Sequence, residues 1–132
     1  MRAKSRALFV VLIMAAAACA TRSASVQPGV VARMWRGRVP DARAEEYYAY
    51  LTSAGITRLE QTPGNLGADV LTRSRDGVTE FIVISYWRSL DDIKAYAGAD
   101  IEKAHSLPRD AEFLIEPEAN VRHFTVRLSD RH

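Results

Sequence analysis

Cysteine is almost missing from this chain of 132 residues, in which Cys19 is the only one. A single thiol excludes an internal disulfide and a cysteine-based metal site. The sequence also has no phosphate loop, dinucleotide fingerprint, nucleophile elbow or zinc signature. With 48% hydrophobic and 26% charged residues, its composition is that of an ordinary globular protein, which excludes a disordered or collagenous chain.

An excess of positive charge is also missing from most of the chain. The formal net charge is +2, but Arg2, Lys4 and Arg6 all lie near the start. Residues 1–18 hold three of the 18 basic residues and none of the 16 acidic ones, so the remainder has a net charge of −1. A nearly neutral domain lacks the basic surface that binds phosphate backbones, and nucleic acid is not an expected partner.

The first nineteen residues have the layout of a signal peptide. A basic start precedes an apolar run from Ala7 to Ala18, which is shorter than the roughly 20 residues that a membrane-spanning helix needs. The end of this run resembles a bacterial lipoprotein processing site with Cys19 as the lipid attachment residue, although Ala16 stands where such sites usually have Leu. The alternative is ordinary cleavage near Ala18 or Ala20. We therefore expect an exported protein of the cell envelope, anchored to the membrane through Cys19 and facing the periplasm.

The rest of the chain has room for one domain. Residues 20–29 are small and polar, which is typical of a flexible tether. The domain is predicted to cover 30–128, and residues 129–132 are predicted to form a disordered tail.

The first half of the domain alternates between strand and helix patterns. Residues 30–39 predict a strand, after which Asp41 is placed to cap a helix that ends at Gly55. The helix has one apolar stripe, formed by Ala44, Tyr47, Tyr48, Leu51 and Ala54. Two further strands, 68–73 and 78–87, flank the hairpin signal Asp76-Gly77.

The second half adds one helix and one strand. Ser89 and Asp92 match a capping box that opens a helix ending at Gly98, with a further short turn from Asp100 to His105. A last strand is predicted over 121–128, preceded by an extended piece at 113–115. The order strand, helix, strand, strand, helix, strand is the ferredoxin-like split βαββαβ arrangement, an α+β fold with a four-stranded antiparallel sheet.

The strand 80–87 is apolar on both faces. Phe81, Val83 and Trp87 alternate with Ile82, Ile84 and Tyr86, whereas a strand with one wet face alternates apolar with polar residues. Two helices can cover one face of such a sheet, so the other face needs a partner. The economical partner is a second copy, and a homodimer closed into an α+β barrel is predicted; a different partner is the alternative.

Several motifs in this order resemble the antibiotic biosynthesis monooxygenase family of dimeric α+β barrels. They are Ala32-Arg33-Met34-Trp35-Arg36-Gly37, Thr62-Pro63-Gly64-Asn65-Leu66-Gly67, Tyr86-Trp87-Arg88-Ser89, Ala95-Tyr96-Ala97-Gly98, Glu102-Lys103-Ala104 and Val121-Arg122-His123-Phe124. The resemblance runs from Val31 to Val126. It implies the fold, the dimer and a pocket between sheet and helices, in a family whose members include cofactor-free oxygenases of aromatic polyketides and haem-cleaving enzymes.

The resemblance implies an aromatic pocket that binds a small hydrophobic molecule, which dioxygen then oxidises without a cofactor. The candidate catalytic residues are His123 as a base, Trp35, and Arg33 (or Arg36) as the partner of an anionic oxygen. The candidate pocket residues are Tyr48, Tyr86, Trp87, Tyr96 and His105, although strand and helix aromatics more often belong to the core. A non-catalytic binding or interaction lipoprotein of the same fold is the alternative.

Haem is a further alternative, carried by His105. In haem-degrading relatives a histidine after the second helix ligates iron, and His105 and Tyr96 lie near the matching positions for that histidine and for a helix tryptophan. The asparagine of the first strand has no counterpart, since Asn65 and Asn120 lie elsewhere. A histidine at a helix end is more often a surface or capping group. We therefore expect neither haem nor a metal.

Overall fold

The structure is a computed structural model that describes residues 29–131. The predicted signal peptide, Cys19 and the tether up to residue 28 lie outside the described residues, as does His132.

Four strands form one antiparallel sheet. They are β1 (Val31–Pro40), β2 (Asn65–Arg75), β3 (Val78–Trp87) and β4 (Arg122–Thr125), and their order across the sheet is β2-β3-β1-β4. Helices connect β1 to β2 and β3 to β4. The predicted α+β, ferredoxin-like arrangement is confirmed.

The β2–β3 hairpin turns at Asp76-Gly77, as predicted. Both residues have positive φ, 53° and 77°, which is the backbone that a two-residue hairpin turn requires and that this pair tolerates best. The predicted bounds of β3 are confirmed, whereas β2 begins earlier than predicted, at Asn65. A register irregularity between Asn65 and Gly67 marks this earlier start.

The first helix does not stop at Gly55, which corrects the prediction. Helix α1 (Ala44–Tyr50) continues through a π-helical turn (Leu51–Ile56) into α2 (Thr57–Gln61). Gly55 is buried, and a Cβ there would lie 3.2 Å from side-chain carbons of Leu51 and Leu107. The glycine is therefore needed for close packing inside the helix, and the helix ends where Thr62 becomes extended.

The two predicted helix caps had different outcomes. Asp41 caps nothing: it lies within a 3₁₀ turn (Asp41–Arg43), and its carboxylate instead accepts a hydrogen bond from the hydroxyl of Thr79 at 2.6 Å. Ser89 caps helix α3 (Leu90–Ala97) as predicted, because its Oγ accepts a hydrogen bond from the backbone N–H of Asp92 at 3.2 Å.

The segment between α3 and β4 differs from the prediction. Phe113 ends a short helix, α4 (Asp110–Phe113), where an extended piece was expected over 113–115. The helical turn buries Phe113 against the ring of Tyr47, with a centroid distance of 5.2 Å, and the chain becomes extended only at Leu114. Strand β4 is also shorter than the predicted 121–128.

The two faces of the sheet have different surroundings. The face toward the helices, here called the helix side, packs Val39, Phe81, Val83 and Trp87 against Tyr47, Leu51, Leu59, Ile93, Leu107 and Phe113 in one core. The other face, here called the outer face, presents Met34, Leu71, Ile82, Ile84 and Phe124, of which Phe124 is 50% exposed. In residues 29–131, no helix has the length and apolarity to span a membrane.

Candidate functional site

A cleft lies between the helix side of the sheet and the first helix with its π-helical turn. Strand residues Arg33, Trp35, Val83 and Ser85 form its floor, and it is further lined by Tyr47, Leu51, Gly55, Ile56, Leu59, Tyr96, His105, Leu107 and Asp110. Its volume is about 40 Å³, which holds a few water molecules. Pockets for small organic ligands usually measure about 300–1,000 Å³. In this conformation the cleft therefore admits one polar group rather than a ring system.

Arg33 is the most unusual side chain of the cleft. It is only 4% exposed, and its Nη2 donates a hydrogen bond to the carbonyl oxygen of Lys103 at 3.0 Å. Its Nε is buried without an acceptor among the described residues, and none of their carboxylates forms an ion pair with it. Burial lowers the pKa of Arg33 from its ordinary value, yet a guanidinium stays protonated in proteins. The cleft therefore contains a buried positive charge.

Tyr96 on α3 stands among four other side chains. The Cζ atoms of Arg33 and Arg58 lie 5.7 and 5.5 Å from the centre of its ring. The His105 ring is 5.1 Å away and the Trp87 ring 5.9 Å away. Two cations on one aromatic ring give this part of the cleft a positive character.

His105 forms a short contact with Arg58, in which Arg58 Nη1 lies 2.7 Å from His105 Nε2. A guanidinium only donates hydrogen bonds, so Nε2 is the acceptor and the imidazole is neutral. Burial, followed by the charges of Arg58 and Arg33, lowers the pKa of His105, in agreement with a neutral ring. His105 is among the residues that line the cleft.

Asp110 is the only acidic residue among those lining the cleft, and it was not among the predicted site residues. Its carboxylate accepts hydrogen bonds from the hydroxyl of Tyr47 at 3.1 Å and from the backbone N–H of Leu107 at 2.7 Å. Burial raises the pKa of Asp110, and burial likewise raises the pKa of Tyr47. One carboxylate oxygen thus bonds to Tyr47 in the core and the other to the turn before α4. The carboxylate forms no ion pair with Arg33.

Trp35 lies over a glycine on its own strand. A Cβ at Gly37 would overlap the Trp35 indole and lie 3.0 Å from a methyl carbon of Leu114. Side chains two residues apart on a strand share a face, so the missing side chain at position 37 gives the indole its place beside the cleft. This contact explains the glycine that follows Trp35 and Arg36.

His123 stands opposite Arg33 in the β1–β4 register. It is half-buried on the helix side but is not among the residues that line the cleft. Its Nε2 has no hydrogen-bond partner among the described residues. Burial, with the charge of Arg33 adding to it, lowers the pKa of His123, which favours the neutral ring.

Three predicted pocket residues lie outside the cleft. Tyr48 is 46% exposed because Tyr47, its neighbour on the helix, takes the core position. Tyr86 projects from the outer face, where its hydroxyl donates a hydrogen bond to Asp69 at 2.9 Å. Trp87 is fully buried in the core, where its Nε1 donates to Ser85 Oγ at 2.9 Å.

Arg36, the alternative to Arg33 as the partner of an anionic oxygen, also lies outside the cleft. Strand alternation puts it on the outer face, where it pairs with Glu80 and with Glu118 at 2.8 Å. Its positive charge is thus compensated by the chain itself. Of the two arginines, only Arg33 belongs to the cleft.

Comparisons with known proteins identify the family of this chain. The family model described as antibiotic biosynthesis monooxygenase matches residues 28–105. The chain belongs to the antibiotic biosynthesis monooxygenase family. A comparison with curated proteins finds no match.

Solved structures of this family share the fold. An antibiotic biosynthesis monooxygenase candidate from Bacillus cereus is 18% identical, with a TM-score of 0.55 over 79% of this chain and 99% of that one. A candidate from Nitrosomonas europaea is 22% identical, with a TM-score of 0.55 over 76% and 93%. The heme-degrader MhuD from Mycobacterium tuberculosis, solved with two hemes, is 22% identical, with a TM-score of 0.53 over 77% and 99%. At these identities the likeness extends to the fold alone.

The cleft of this family member does not fit haem. A haem ligand must offer a free imidazole nitrogen to a space as large as the macrocycle, whereas His105 Nε2 is held by Arg58 and the space measures about 40 Å³. Among residues 29–131, no group of three or more His, Cys, Asp or Glu side chains is arranged to hold a metal ion. We derive no haem chemistry for this site.

Proposed function

We propose that the protein is a cofactor-independent monooxygenase that oxidises a small hydrophobic, aromatic substrate with dioxygen. The observation that carries the proposal is Arg33, a buried cation without a counterion beside the aromatic rings of Trp35 and Tyr96. Preorganised positive charge in a site that excludes water stabilises an anion more strongly than water does. An electron-rich aromatic anion is the species that reduces dioxygen without a cofactor.

The chemistry balances without an external reductant. An activated ring methylene loses its two hydrogens and gains one oxygen atom of dioxygen as a carbonyl, while the other oxygen atom leaves as water. All electrons that reduce dioxygen come from the substrate. In this scheme Arg33 holds the ionised substrate oxygen. His123, which stands opposite Arg33 on β4 but outside the cleft in this conformation, is the proposed acceptor of the proton removed from carbon. The cleft must widen for the ring, and we propose that Trp35 and Tyr96, both half-buried, move to admit it.

Oxygen uptake with 1,8-dihydroxyanthrone tests this proposal, after subtraction of the uptake without protein. We expect catalysis to fall at least tenfold in Trp35→Ala and in His123→Gln. Arg36→Met, which changes the outer face, should retain activity. Uptake equal to the background, or equal uptake by all these variants, would show that the protein is not such an oxygenase.

The proposal includes a homodimer formed through the outer face. Support comes from the apolar side chains of this face, which no helix of residues 29–131 covers, and from Leu71 and Phe124, which are 47% and 50% exposed. Contiguous exposed apolar surface usually marks an interface. Sedimentation equilibrium should give a dimer for the wild type and a monomer for Ile84→Arg. A wild-type monomer would refute this part.

Export and lipidation at Cys19 belong to the same proposal, with the domain held at the cell envelope and facing the periplasm. Support comes from the basic start and the apolar run that precede Cys19. Labelling with a radioactive fatty acid should mark the wild type and leave Cys19→Ser unmarked. An unlabelled wild-type protein that is nevertheless exported would indicate ordinary cleavage.

A non-catalytic binding lipoprotein is the second candidate. The small volume of the cleft, about 40 Å³, favours it, because a ring system enters only after side chains move. Tight ligand binding without any oxygen uptake would favour this second candidate over the first.

A further inference from the structure

Four leucines are exposed in residues 29–131, and three of them lie at one end of the domain. Leu71 belongs to the outer face. Leu66, Leu90 and Leu128, which are 48–60% exposed, lie where β1 begins, and this end of the domain is here called the proximal end. A single exposed leucine is ordinary, whereas three at one end indicate a surface that meets a partner.

The sheet register brings Leu66 and Leu90 to the proximal end. Trp87, the last residue of β3, pairs with Val31 at the start of β1 and with Asn65 at the start of β2. Leu66 follows Asn65 directly, and Leu90 opens α3 three residues after Trp87. Both leucines therefore lie at the same end of the sheet as the first residue of β1.

The last described segment brings Leu128 to the same end. The backbone N–H of Val126 donates a hydrogen bond to the carbonyl oxygen of Val30 at 3.0 Å. Leu128 lies two residues further along the chain, and Leu66, Val126 and Ser129 line one groove there together with Val30. The proximal end is therefore bordered by leucines from three different segments.

The charges of these segments balance. Residues 65–69, 88–94 and 126–131 contain four basic and four acidic side chains, so their net charge is zero. Two of the pairs are formed within the segments or between them, by Lys94 with Asp91 and by Arg131 with Asp69. Attraction to anionic lipids needs a cluster of basic residues, so the apolar side chains are the feature of this end that a partner would recognise.

The position of the proposed lipid decides what covers these leucines. Cys19 precedes Val30 by 11 residues, and even a fully extended chain of that length reaches only about 40 Å. A lipid on Cys19 thus keeps the proximal end close to the bilayer at all times. The β2–β3 hairpin, which turns at Asp76-Gly77, lies at the opposite end of the sheet.

We propose that the proximal end rests on the bilayer, with the side chains of Leu66, Leu90 and Leu128 inserted among the lipids. Apolar side chains that enter the interface are stabilised by the area they remove from water. Because the charges balance, the contact needs no anionic lipid. The inference rests on the proposed lipid attachment at Cys19, which holds the domain at the membrane, and it is independent of any oxygenase activity.

A fluorescent label at the proximal end tests the contact. Lipidation uses the thiol of the only cysteine of the chain, so Leu128→Cys supplies one reactive thiol in the lipidated protein. The labelled protein is reconstituted into phosphatidylcholine vesicles whose acyl chains carry bromine. We expect at least twofold quenching of the label, unchanged at high salt. Absence of quenching would overturn the inference.

Two matched positions serve as controls. Leu71→Cys has nearly the same exposure on the outer face, and Arg75→Cys lies beside the hairpin turn. Neither label should be quenched. A second copy packed on the outer face would shield position 71 from water but carries no bromine, so quenching distinguishes lipid from protein. Equal quenching at all positions, or a label at position 128 that is shielded without being quenched, would overturn the inference.

A leucine-free surface tests which side chains make the contact. With the label at Ser129→Cys, the triple substitution Leu66→Ser, Leu90→Ser and Leu128→Ser should lower the quenching to the level seen at position 75. Leu71→Ser is the matched control and should leave it unchanged. These side chains are exposed, so the fold should tolerate the changes. Quenching that survives the triple substitution would contradict the assignment to these leucines.

The outcomes separate this inference from the proposed function. Lipidation at Cys19 without selective quenching would overturn the inference and leave the lipid anchor standing. If Cys19 carries no lipid, the Cys19→Ser protein labelled at position 128 is mixed with the same vesicles at high lipid concentration. Selective quenching there would support the surface without the lipid, and its absence would overturn it.

Discussion

The two faces of the sheet differ in which kind of group lacks a partner among the described residues. On the helix side, Phe81 and Trp87 are excluded from solvent, and the uncompensated feature is the single charge of Arg33. On the outer face several charges form ion pairs, as Arg36 with Glu80 and Arg131 with Asp69 show, and the uncompensated feature is apolar area. One face therefore lacks an anion and the other lacks an apolar cover.

This difference follows from the alternation of side chains along a strand. In β3 every second residue is buried and those between are only partly buried, so successive residues belong to different environments. A substitution on the helix side should therefore affect packing and ligand binding. Substitution of the next residue along the strand, on the outer face, should affect formation of the proposed dimer.

Among the substitutions that test this difference between the faces, truncation of Phe81 should have the largest effect on the free energy of unfolding. Phe81→Ala removes a ring that packs edge-on against Tyr47 at 5.2 Å, and the free energy of unfolding should fall by about 3–5 kcal/mol. Phe124→Ala on the outer face should change it by about 0.5 kcal/mol or less, at protein concentrations low enough to keep the chain monomeric. Urea denaturation measures both, and similar losses would contradict the division into two faces.

Filling the space at Gly37 should have the next largest effect. The added methyl of Gly37→Ala overlaps the Trp35 indole, and overpacking of this kind costs about 1–3 kcal/mol. In a Trp35→Ala background the same change should cost less, because the overlapping ring is gone. A double-mutant cycle from urea denaturation measures this coupling, and equal costs in both backgrounds would show that the indole is not what restricts position 37.

Acidification should affect the two faces in different pH ranges. Burial lowers the pKa of His123 from 6.5, so between the folded pKa and 6.5 the unfolded chain binds more protons than the folded chain. The stability that His123 contributes is therefore complete above about pH 6.5 and is lost as the pH falls through its folded pKa.

His123→Gln should accordingly reduce the fall in the free energy of unfolding between about pH 7.5 and about pH 5. His105 shifts in the same direction and should account for a further part. Asp69→Asn on the outer face is the control. The hydrogen bond from Arg131 lowers the pKa of Asp69 below 3.8, so its contribution is lost only at lower pH. An unchanged pH dependence in His123→Gln would contradict the burial of this imidazole.

Removal of Arg131 should have the smallest effect. Arg131 pairs with Asp69 at 3.0 Å and contacts the Tyr86 hydroxyl at 3.1 Å. Exposed ion pairs contribute little to stability. Arg131→Met should leave the unfolding transition unchanged and raise the pKa of Asp69 toward 3.8, as followed by NMR titration of the carboxylate. A measurable loss of stability would show that the segment before residue 132 helps to hold the outer face together.

The fold was predictable because local signals and topology agree. The turn at Asp76-Gly77, the Ser89 cap and the apolar stripe at Tyr47 and Leu51 are all local, and short connections in this order leave few arrangements. The course of the helix through Gly55 was not predictable, because glycine reads as a stop signal unless the packing partner Leu107 is known. The prediction that Asp41 caps the helix was wrong for a similar reason, because its hydrogen-bond partner Thr79 is distant in sequence.

The candidate site was predictable only in part. The family resemblance pointed to Arg33, Trp35, Tyr96 and His105, and all four line the cleft. Strand alternation supported only Arg33 and Trp35, which share a face of β1. Arg58 and Asp110 carried no sequence signal. Arg58 follows Gly55, where the helix was expected to end, and Asp110 begins α4, a helix that the sequence did not predict. Helical periodicity did not distinguish Tyr48 from Tyr47, because both fit the predicted apolar stripe. Only Tyr47 lies in the core.

The π-helical turn at Leu51–Ile56 sets the rotational phase of everything that follows it on the helix. Each residue of an α-helix advances the side-chain direction by about 100°, whereas a π-helical turn holds roughly one residue more. If the residues of Leu51–Ile56 formed a regular α-helix instead, the chain would enter α2 about one such step out of phase. Leu59 would rotate away from the core and Arg58 away from His105. The mouth of the cleft would then lose its second cation although every residue that lines its floor remained in place.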